Sequence, residues 1–457
     1  MSGLQKSIHI KTFGCQMNVF DSDRMESILL KQGYRREEDL AKADVLLINT
    51  CSIRAKSEQK VLSLLGQLKP LKEKNPKKVI GITGCVGQRM GRSLLQRVPH
   101  LDLVMGPDGV ERVGELVEQV IGRGRRVLET TFEDQKERSY SQPAVIDKAR
   151  PSEFLTVMKG CDHFCTYCIV PFVRGREKSR PIAELLEDVR RFVDRGTKEI
   201  TFLGQNINTY GKRTGETLAE LVERTNAIEG VERIRYVTSH PRDLGMDLIE
   251  QFGRVEKLCP ALHLPFQAGS NSILKRMARL YTREEYLAKV AALRAACPDI
   301  ALSTDVIVGF PGETDEDFEQ TLDVIREVGF AGAYLFKYSP RPGTRAFEFG
   351  EEVPDSVMSE RLAHLQEVCF GRIAEENKAM VGQTVSCLVE GIDKKGRHYT
   401  GRTPYGKLVH VLNAGDACVG RIIDVEVTEG SASNLKGYYI GAPRQNRVGE
   451  AAKAVSA

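Results

Sequence analysis

Apolar positions along the first 120 residues alternate between two periods. Ile8–Phe13, Val45–Asn49, Val79–Thr83 and Leu101–Met105 are short, largely aliphatic runs of the kind that form strands. Between and after them, Ser22–Gln32, Ser57–Leu68, the stretch around Arg92–Val98 and Glu111–Ile121 place apolar residues at helical spacing. This alternation predicts a mostly parallel sheet flanked by helices. Residues 122–150 are polar and irregular, with Gln142-Pro143, and read as a linker. The alternation resumes over 152–345, with strands predicted at Leu155–Met158, Glu199–Leu203, Ile234–Thr238, Ala261–Leu264, Ile300–Val308 and Ala333–Tyr338. Between Pro181 and Gly196, the residues Ile182, Leu185, Leu186, Val189, Phe192 and Val193 form one helical stripe, closed by a glycine where a C′ residue is expected. Six such units predict a partial (β/α) barrel, whose ligands sit at the strand C-termini. A helical pattern over Asp355–Met380 ends the region. After Gly382, Thr384–Val389, Leu408–Val411, Val419–Val427 and Gly437–Ile440 predict a small β-barrel. The fold class is α/β, with a small all-β unit at the end.

Composition narrows the setting. The N-terminus has no long apolar segment of the signal-peptide kind, and no apolar run approaches the roughly 18 residues of a membrane helix, so a cytoplasmic protein with no membrane partner is expected. Eleven cysteines in a reducing compartment point to metal or catalysis rather than disulfides. The formal net charge is +4, and residues 378–457 carry this whole surplus, with 11 lysines and arginines against 7 acidic residues. A surplus of this size fits either a polyanionic partner or a solvated surface.

Six of the cysteines are patterned. Cys161, Cys165 and Cys168 have the spacing C-x3-C-x2-C directly after a predicted strand. Three thiols this close can hold three corners of an iron–sulfur cube and leave one iron open to a ligand. The rival is zinc, with His163 as a fourth ligand. Structural zinc sites usually bring a second cysteine pair, and no second C-x2-C exists here, so the spacing favours iron–sulfur. Cys15, Cys51 and Cys85 are separated by 36 and 34 residues, about one strand–helix unit each, and each follows a predicted strand within two residues. Ligands of open α/β sheets bind beyond the carboxyl ends of the strands, so these three can meet at one ligand. Cys259, Cys297, Cys369, Cys387 and Cys418 share no spacing and are expected to be structural.

Other strand ends carry Gly204-Gln205-Asn206, Thr238-Ser239-His240-Pro241, His263-Leu-Pro-Phe-Gln267 and Asp305-Val-Ile-Val-Gly309-Phe-Pro-Gly-Glu313. Lone histidines are more often structural than catalytic, so His240 and His263 receive no acid–base role. Arg174, Arg176, Lys178 and Arg180 cluster just after the cysteine loop. They read equally as a salt-bridged face or as contacts to a carboxylate or phosphate.

The C-x3-C-x2-C spacing with Tyr167 before its last cysteine resembles the radical S-adenosylmethionine (SAM) superfamily. That resemblance implies that SAM chelates the open iron and is cleaved to a 5′-deoxyadenosyl radical. Gly204, Gln205 and Asn206 stand where the superfamily has a Gly-Gly-Glu segment for the SAM amino group, and depart from its glutamate. The segment containing Asp305, Ile307 and Gly309 resembles the one that packs on the adenine.

Thr12-Phe-Gly-Cys-Gln-Met-Asn18, Asn49-Thr-Cys51, Thr83-Gly-Cys85, the run Gly160–Arg180 and Tyr338-Ser-Pro-Arg-Pro-Gly-Thr344 resemble the radical SAM methylthiotransferase family over nearly the whole chain. Gly84-Cys-Val-Gly-Gln88 departs slightly from the usual Gly-Cys-Met-Ala-Gln. The resemblance implies a methylthiotransferase N-terminal domain at 6–122, a radical SAM core at 147–377 and a TRAM-like RNA-binding domain at 378–442. It also implies two 4Fe–4S clusters, one on Cys161, Cys165 and Cys168 and one on Cys15, Cys51 and Cys85, with SAM as cofactor. Its Gly-Cys-Gln-Met-Asn form is most like the tRNA branch, which methylthiolates C2 of N6-isopentenyladenosine in the anticodon loop. Threonylcarbamoyladenosine in tRNA and a ribosomal-protein aspartate are the alternatives within the family, and a non-catalytic metal-stapled RNA-binding protein is the one outside it. The resemblance further implies an electron donor such as flavodoxin or ferredoxin and a sulfur source. A monomer is expected.

Overall fold

A computed structural model describes residues 5–52, 55–132 and 150–441. The first unit runs β1 (Ser7–Phe13), α1 (Gln16–Lys31), β2 (Arg35–Arg36), β3 (Val45–Thr50), α2 (Ala55–Lys74), β4 (Val79–Thr83), α3 (Gly84–Arg97), β5 (Leu103–Met105), α4 (Val113–Arg123) and β6 (Val127–Glu129). The strands form one parallel sheet in the order β2-β1-β3-β4-β5-β6. Every residue of β3 and β4 is buried, because helices cover both faces. Val45 and Leu47 pack towards Met25, Leu29 and Val117; Leu46 and Ile48 pack towards Val61 and Leu65.

Three local expectations need correction. α1 starts at Gln16 rather than Ser22, because its inward face carries the buried polar residues Asn18, Ser22, Arg24 and Ser27, which hide the helical period. α3 starts at Gly84 rather than near Arg92, and its two halves meet at a kink at Gly91 (φ 25°, ψ −106°). The stretch read as linker from residue 122 first supplies β6, a three-residue strand too short to show alternation. Residues 133–149 of that linker, including the boundary drawn at 147, lie outside the described residues, as does the boundary at 442.

The central unit runs β7 (Ser152–Thr156), β8 (Met158–Lys159), α5 (Val170–Arg174), β9 (Lys178–Ser179), α6 (Ile182–Val193), β10 (Glu199–Leu203), α7 (Leu218–Asn226), β11 (Arg233–Tyr236), α8 (Met246–Arg254), β12 (Ala261–His263), α9 (Asn271–Arg276), α10 (Arg283–Ala296), β13 (Ala301–Val308), α11 (Asp315–Val328), β14 (Gly332–Lys337) and α12 (Asp355–Lys378). β7, β10 and β11 form one parallel sheet, and β12, β13 and β14 another. A parallel bridge from Ile234 to Leu258 joins them, so six strands follow each other around an open barrel. The predicted stripe of α6 is its buried face, apart from the half-buried Val193. The short antiparallel pair β8–β9 brackets the cysteine loop and was not legible in the sequence.

The last unit is a closed barrel, β15 (Thr384–Ile392), β16 (Tyr399–Arg402), β17 (Leu408–Val411), β18 (Ile422–Gly430) and β19 (Leu435–Tyr439), in the order β15-β16-β17-β19-β18. β16, Tyr-Thr-Gly-Arg, lacks the apolar run that marked the other strands. Cys387 and Cys418 pack in this barrel's core, and Cys369 packs in that of the central unit. No helix among the described residues is long and apolar enough to cross a membrane.

The closed barrel docks at the beginning of β11. Arg233 donates to the Arg402 carbonyl (2.8 Å) and the Ser386 hydroxyl (3.1 Å), and Arg235 to the carbonyls of Pro404 (2.9 Å) and Thr403 (2.7 Å). Arg235 Nε also lies 3.0 Å from Glu199 Oε2, whose side chain is 2% exposed. Arg235→Ala strands that carboxylate and is expected to destabilise the protein by about 3–5 kcal/mol, the usual cost of breaking a buried pair. A lowered Tm, with early proteolytic release of the C-terminal barrel, checks this.

Candidate metal centres

β1, β3 and β4 are neighbours in the first sheet, and each runs into a cysteine. Cys15 precedes α1, Cys51 follows β3 directly, and Cys85 is in the first turn of α3. The backbone holds the three ends together: Cys51 N donates to the Phe13 carbonyl (2.9 Å), and Thr50 bridges to Gly84. Gly84 has φ +81°, and a Cβ there would lie 2.4 Å from Asn49 Oδ1 and 2.6 Å from the Thr50 carbonyl, so the close approach requires glycine. A buried amide clamp fixes α1 to β3: Asn18 Nδ2 donates to Asn49 Oδ1 (3.0 Å), and Asn49 Nδ2 to the Asn18 carbonyl (2.8 Å) and Ser22 Oγ (2.9 Å).

The thiols meet. A hydrogen bond from Cys51, helped by Arg174 and by the Asn18 and Met17 backbone amides, lowers the Cys15 pKa to about 6 against the opposing effect of burial. Burial pushes the Cys85 thiol up, although Arg174 Nε donates to its sulfur at 3.4 Å. Cys15 and Cys85 both lie at helix N-termini, where thiolates are favoured. Arg174 is itself buried, and its Nη2 reaches Asp21 Oδ2 at 2.8 Å.

The second set lies on the loop between β8 and β9. Gly160 N donates to Gln205 Oε1, Cys161 N to the Gly175 carbonyl (3.1 Å) and Cys168 N to the Cys165 carbonyl (2.9 Å). Thr166 ties the loop to the end of α9 through Met277 (3.0 Å) and Arg276 (2.9 Å). Burial pushes the Cys161 thiol far up and that of Cys168 to about 12. Arg279, 5% exposed, donates to Cys165 Sγ (3.6 Å), Tyr167 OH (3.4 Å), Tyr281 OH (3.2 Å) and the Pro265 carbonyl (3.1 Å). None of these partners is a carboxylate. A cation this buried calls for an anion, and the thiols are the natural source. The donor sets therefore fit iron–sulfur clusters: three convergent thiols each, with one buried arginine on a sulfur of each set. The sets are close, because Ile169, the residue after Cys168, shares a small buried cluster with Val173 and Cys85.

The other predicted contacts fall in two groups. Gln205 and Asn206 brace the cysteine loop, while Gly204 leaves room for Met158 of β8, whose Cγ would lie 2.7 Å from a Cβ there. Gln205 holds Gly160, and Asn206 Nδ2 donates to Asp243 Oδ2 (2.8 Å), which in turn lies 2.5 Å from His163 Nε2. Asn206 Oδ1 is buried without a partner among the described residues. Tyr167 is edge-on to Phe310. Asp305 and Ile307 lie on β13, in the other half of the barrel; Asp305 Oδ1 is 3.5 Å from His263 Nε2, and Ile307 N donates to the Gln267 carbonyl (3.0 Å). Gly309 donates to Glu313 Oε2 (2.6 Å). Of the basic cluster, Arg174 pairs with Asp21, Arg176 with Asp162 (2.6 Å) and Arg180 with Asp188 (2.6 Å). For these three the salt-bridged reading holds.

His163, His240 and Asp243 bring ligand atoms within 4.8 Å of one another. The imidazoles are stacked nearly parallel (8°, centroids 4.5 Å apart), so their in-plane lone pairs run parallel instead of converging on one ion. The group is a hydrogen-bonded brace. Sequence reasoning did not single out Arg279, Asp243 or Asp21. Arg279 has a structural signature: Ala278 and Leu280 on either side both take positive φ (55° and 59°), a strained turn that aims the guanidinium inward.

Comparison with known proteins agrees with this layout. Residues 7–106 match the uncharacterized protein family UPF0004, 155–325 the radical SAM superfamily and 378–438 the TRAM domain. The fold is shared with the radical S-adenosylmethionine methyltransferase TsrM from Kitasatospora setae, solved with cobalamin and a [4Fe-4S] cluster (TM-score 0.57, 14% identity, 75% of this chain and 77% of that one). It is also shared with the cobalamin-dependent S-adenosylmethionine radical enzyme OxsB (TM-score 0.52, 12% identity, 79% and 56%). Fold and domain order thus define a radical SAM protein with a UPF0004 unit in front and a TRAM domain behind. The tRNA-2-methylthio-N(6)-dimethylallyladenosine synthases of Trichlorobacter lovleyi (45% identity, 95% of this chain and 99% of that one), Geobacter metallireducens (45%, 95% and 98%) and Cereibacter sphaeroides (44%, 96% and 99%) align along nearly the full length. The chain belongs to this synthase family.

In metal-free protein, Cys15 is expected to be alkylated by iodoacetamide well before Cys161 and Cys168 at pH 7. Its pKa is lowered, so the thiolate is present above about pH 6 and the reaction falls away as pH drops through that value. Peptide mass spectrometry across pH 5–8 checks the order.

Proposed function

We propose that this protein adds a methylthio group to C2 of N6-dimethylallyl (isopentenyl) adenosine next to the tRNA anticodon, using SAM and two 4Fe–4S clusters. Cys161, Cys165 and Cys168 hold the cluster that meets SAM. Cys15, Cys51 and Cys85 hold the one that presents the sulfur. The observation that carries this reading is that two three-cysteine sets lie at strand ends of adjoining units, each with a buried arginine on one sulfur; a cavity of about 860 Å³ is lined by all three units. Gln16, next to Cys15, enters from the N-terminal unit, His263, Ser303 and Tyr334 from the open barrel, and Tyr405 and Lys407 from the TRAM domain. This space borders the RNA-binding module directly and meets the N-terminal unit at Gln16, the residue after Cys15.

When bound, the barrel's cluster supplies the electron that cleaves the SAM sulfonium, the route to a C–H bond with no useful acidity. The side chains supply order around it. Gln205, and Asn206 through Asp243 and His163, hold the cysteine loop in one shape. Asp305, Ile307 and Gly309 are the contacts for the adenosyl part of SAM. Tyr334, 55% exposed and edge-on to His263 at 5.8 Å, offers a ring face to the target base. Lys407, hydrogen-bonded to Asn377 Oδ1 (2.5 Å), has no carboxylate in ion-pair reach among the described residues and suits a phosphate. The chain acts as a monomer in the cytoplasm, with electrons from a carrier such as flavodoxin or ferredoxin and sulfur from a separate source.

Cys165→Ala is expected to abolish SAM cleavage. Cys51→Ala is expected to keep 5′-deoxyadenosine formation and lose the methylthio product. Mass spectrometry of digested tRNA after anaerobic turnover reads both, and methylthio product from Cys51→Ala would overturn the sulfur assignment. Tyr334→Ala should raise the KM for tRNA about tenfold, as a lost base–aromatic stack of roughly 1–3 kcal/mol requires, while RNA-independent SAM cleavage stays unchanged.

A further inference from the structure

Arg174 belongs to the central unit but serves the N-terminal one. It is the last residue of α5, the helix that begins two residues after Cys168. Its Nε donates to Cys85 Sγ at 3.4 Å, and its Nη2 pairs with Asp21 on α1 at 2.8 Å. It is 5% exposed, so water screens it little. A second buried pair across the same boundary, Lys159 with Asp108 (2.6 Å), also acts on Asp21, its two members with opposite sign. Arg174 is thus the cation in contact with the Cys15, Cys51 and Cys85 set, and Asp21 partly offsets its charge.

We infer that Arg174 sets the reduction potential of the group held by these three cysteines, with Asp21 as the counterweight. This rests on the reading that they hold an iron–sulfur cluster. One-electron reduction adds one negative charge beside the guanidinium. A buried cation with a hydrogen bond to a ligating sulfur favours that reduced state, and charge and hydrogen bonding at sulfur are the protein's main levers on such potentials. Removing the cation makes the cluster harder to reduce. Removing Asp21's charge leaves more of the cation for the cluster and makes it easier to reduce.

The test is a potentiometric titration followed by electron paramagnetic resonance. It uses the full chain carrying Cys161→Ala, Cys165→Ala and Cys168→Ala, reconstituted with iron and sulfide so that only the N-terminal set is observed. Arg174→Gln is expected to shift the midpoint negative, Asp21→Asn to shift it positive, and Arg174→Lys to lie between Arg174→Gln and the parent. A merely structural role in joining the two units would not give shifts of opposite sign. Unchanged midpoints, or shifts of the same sign, in protein with full iron content overturn the inference. If Arg174→Gln does not fold, the Asp21→Asn and Arg174→Lys titrations still decide it. A parent chain that takes up no iron would overturn the cluster reading itself, a result distinct from any shift among the variants.

Discussion

Thiols gathered in a dry interior resist ionising, because each thiolate loses its water and repels its neighbours. Much of the architecture answers that constraint. Two thiols of the N-terminal set are placed at helix N-termini, and a buried arginine touches a sulfur of each set. The set assembled from three separate strands contains the thiol with the lowered pKa, while on the compact loop the two thiols with shifted values are both pushed up. Convergence from three strand ends works because β1, β3 and β4 are adjacent, which the parallel crossovers of the sheet dictate.

The docking of the units follows from the same constraint. Arg174 and Lys159 leave the central unit to meet Asp21 and Asp108 of the first, so the boundary beside the thiols is tied by charge as well as by the small buried cluster of Ile169, Val173 and Cys85. The TRAM domain sits at the other end of the open barrel, where the strands begin, held by Arg233 and Arg235. Between them lies the barrel's inner face, lined by His263, Ser303 and Tyr334. Strand ends carry the thiols, strand beginnings carry the RNA-binding module, and the barrel's inner face lies between.

Much of this was legible in the sequence because it is written in short-range terms. Strands such as Val79–Thr83 and Glu199–Leu203 are made mostly of apolar and β-branched residues, and C-x3-C-x2-C is a local motif. The starts of α1 and α3 were lost where Asn18 and Ser22 turn inward and where Gly91 breaks the helix, that is, where the site itself overrides the pattern. The spacing of Cys15, Cys51 and Cys85 pointed to a meeting of strand ends. Nothing local tied Arg279 to Cys165, 114 residues away, or Asp21 to Arg174, 153 residues away. Such pairings exist only once the barrel has closed. The Gly204–Asn206 segment shows the opposite case: its position was legible, while its engagement with Gly160 and Asp243 depends on side-chain reach.

Cys168 and Ile169 are consecutive, and Ile169 shares a small buried cluster with Val173 and Cys85. The path from one thiol set to the other therefore runs through one stretch of backbone and one small apolar contact between the two units. Covalent geometry fixes the first part of that path, and the contact part lasts as long as the two units stay packed. Swinging the units apart would expose this contact to water and break the buried pairs Arg174–Asp21 and Lys159–Asp108, so the closed boundary resists opening.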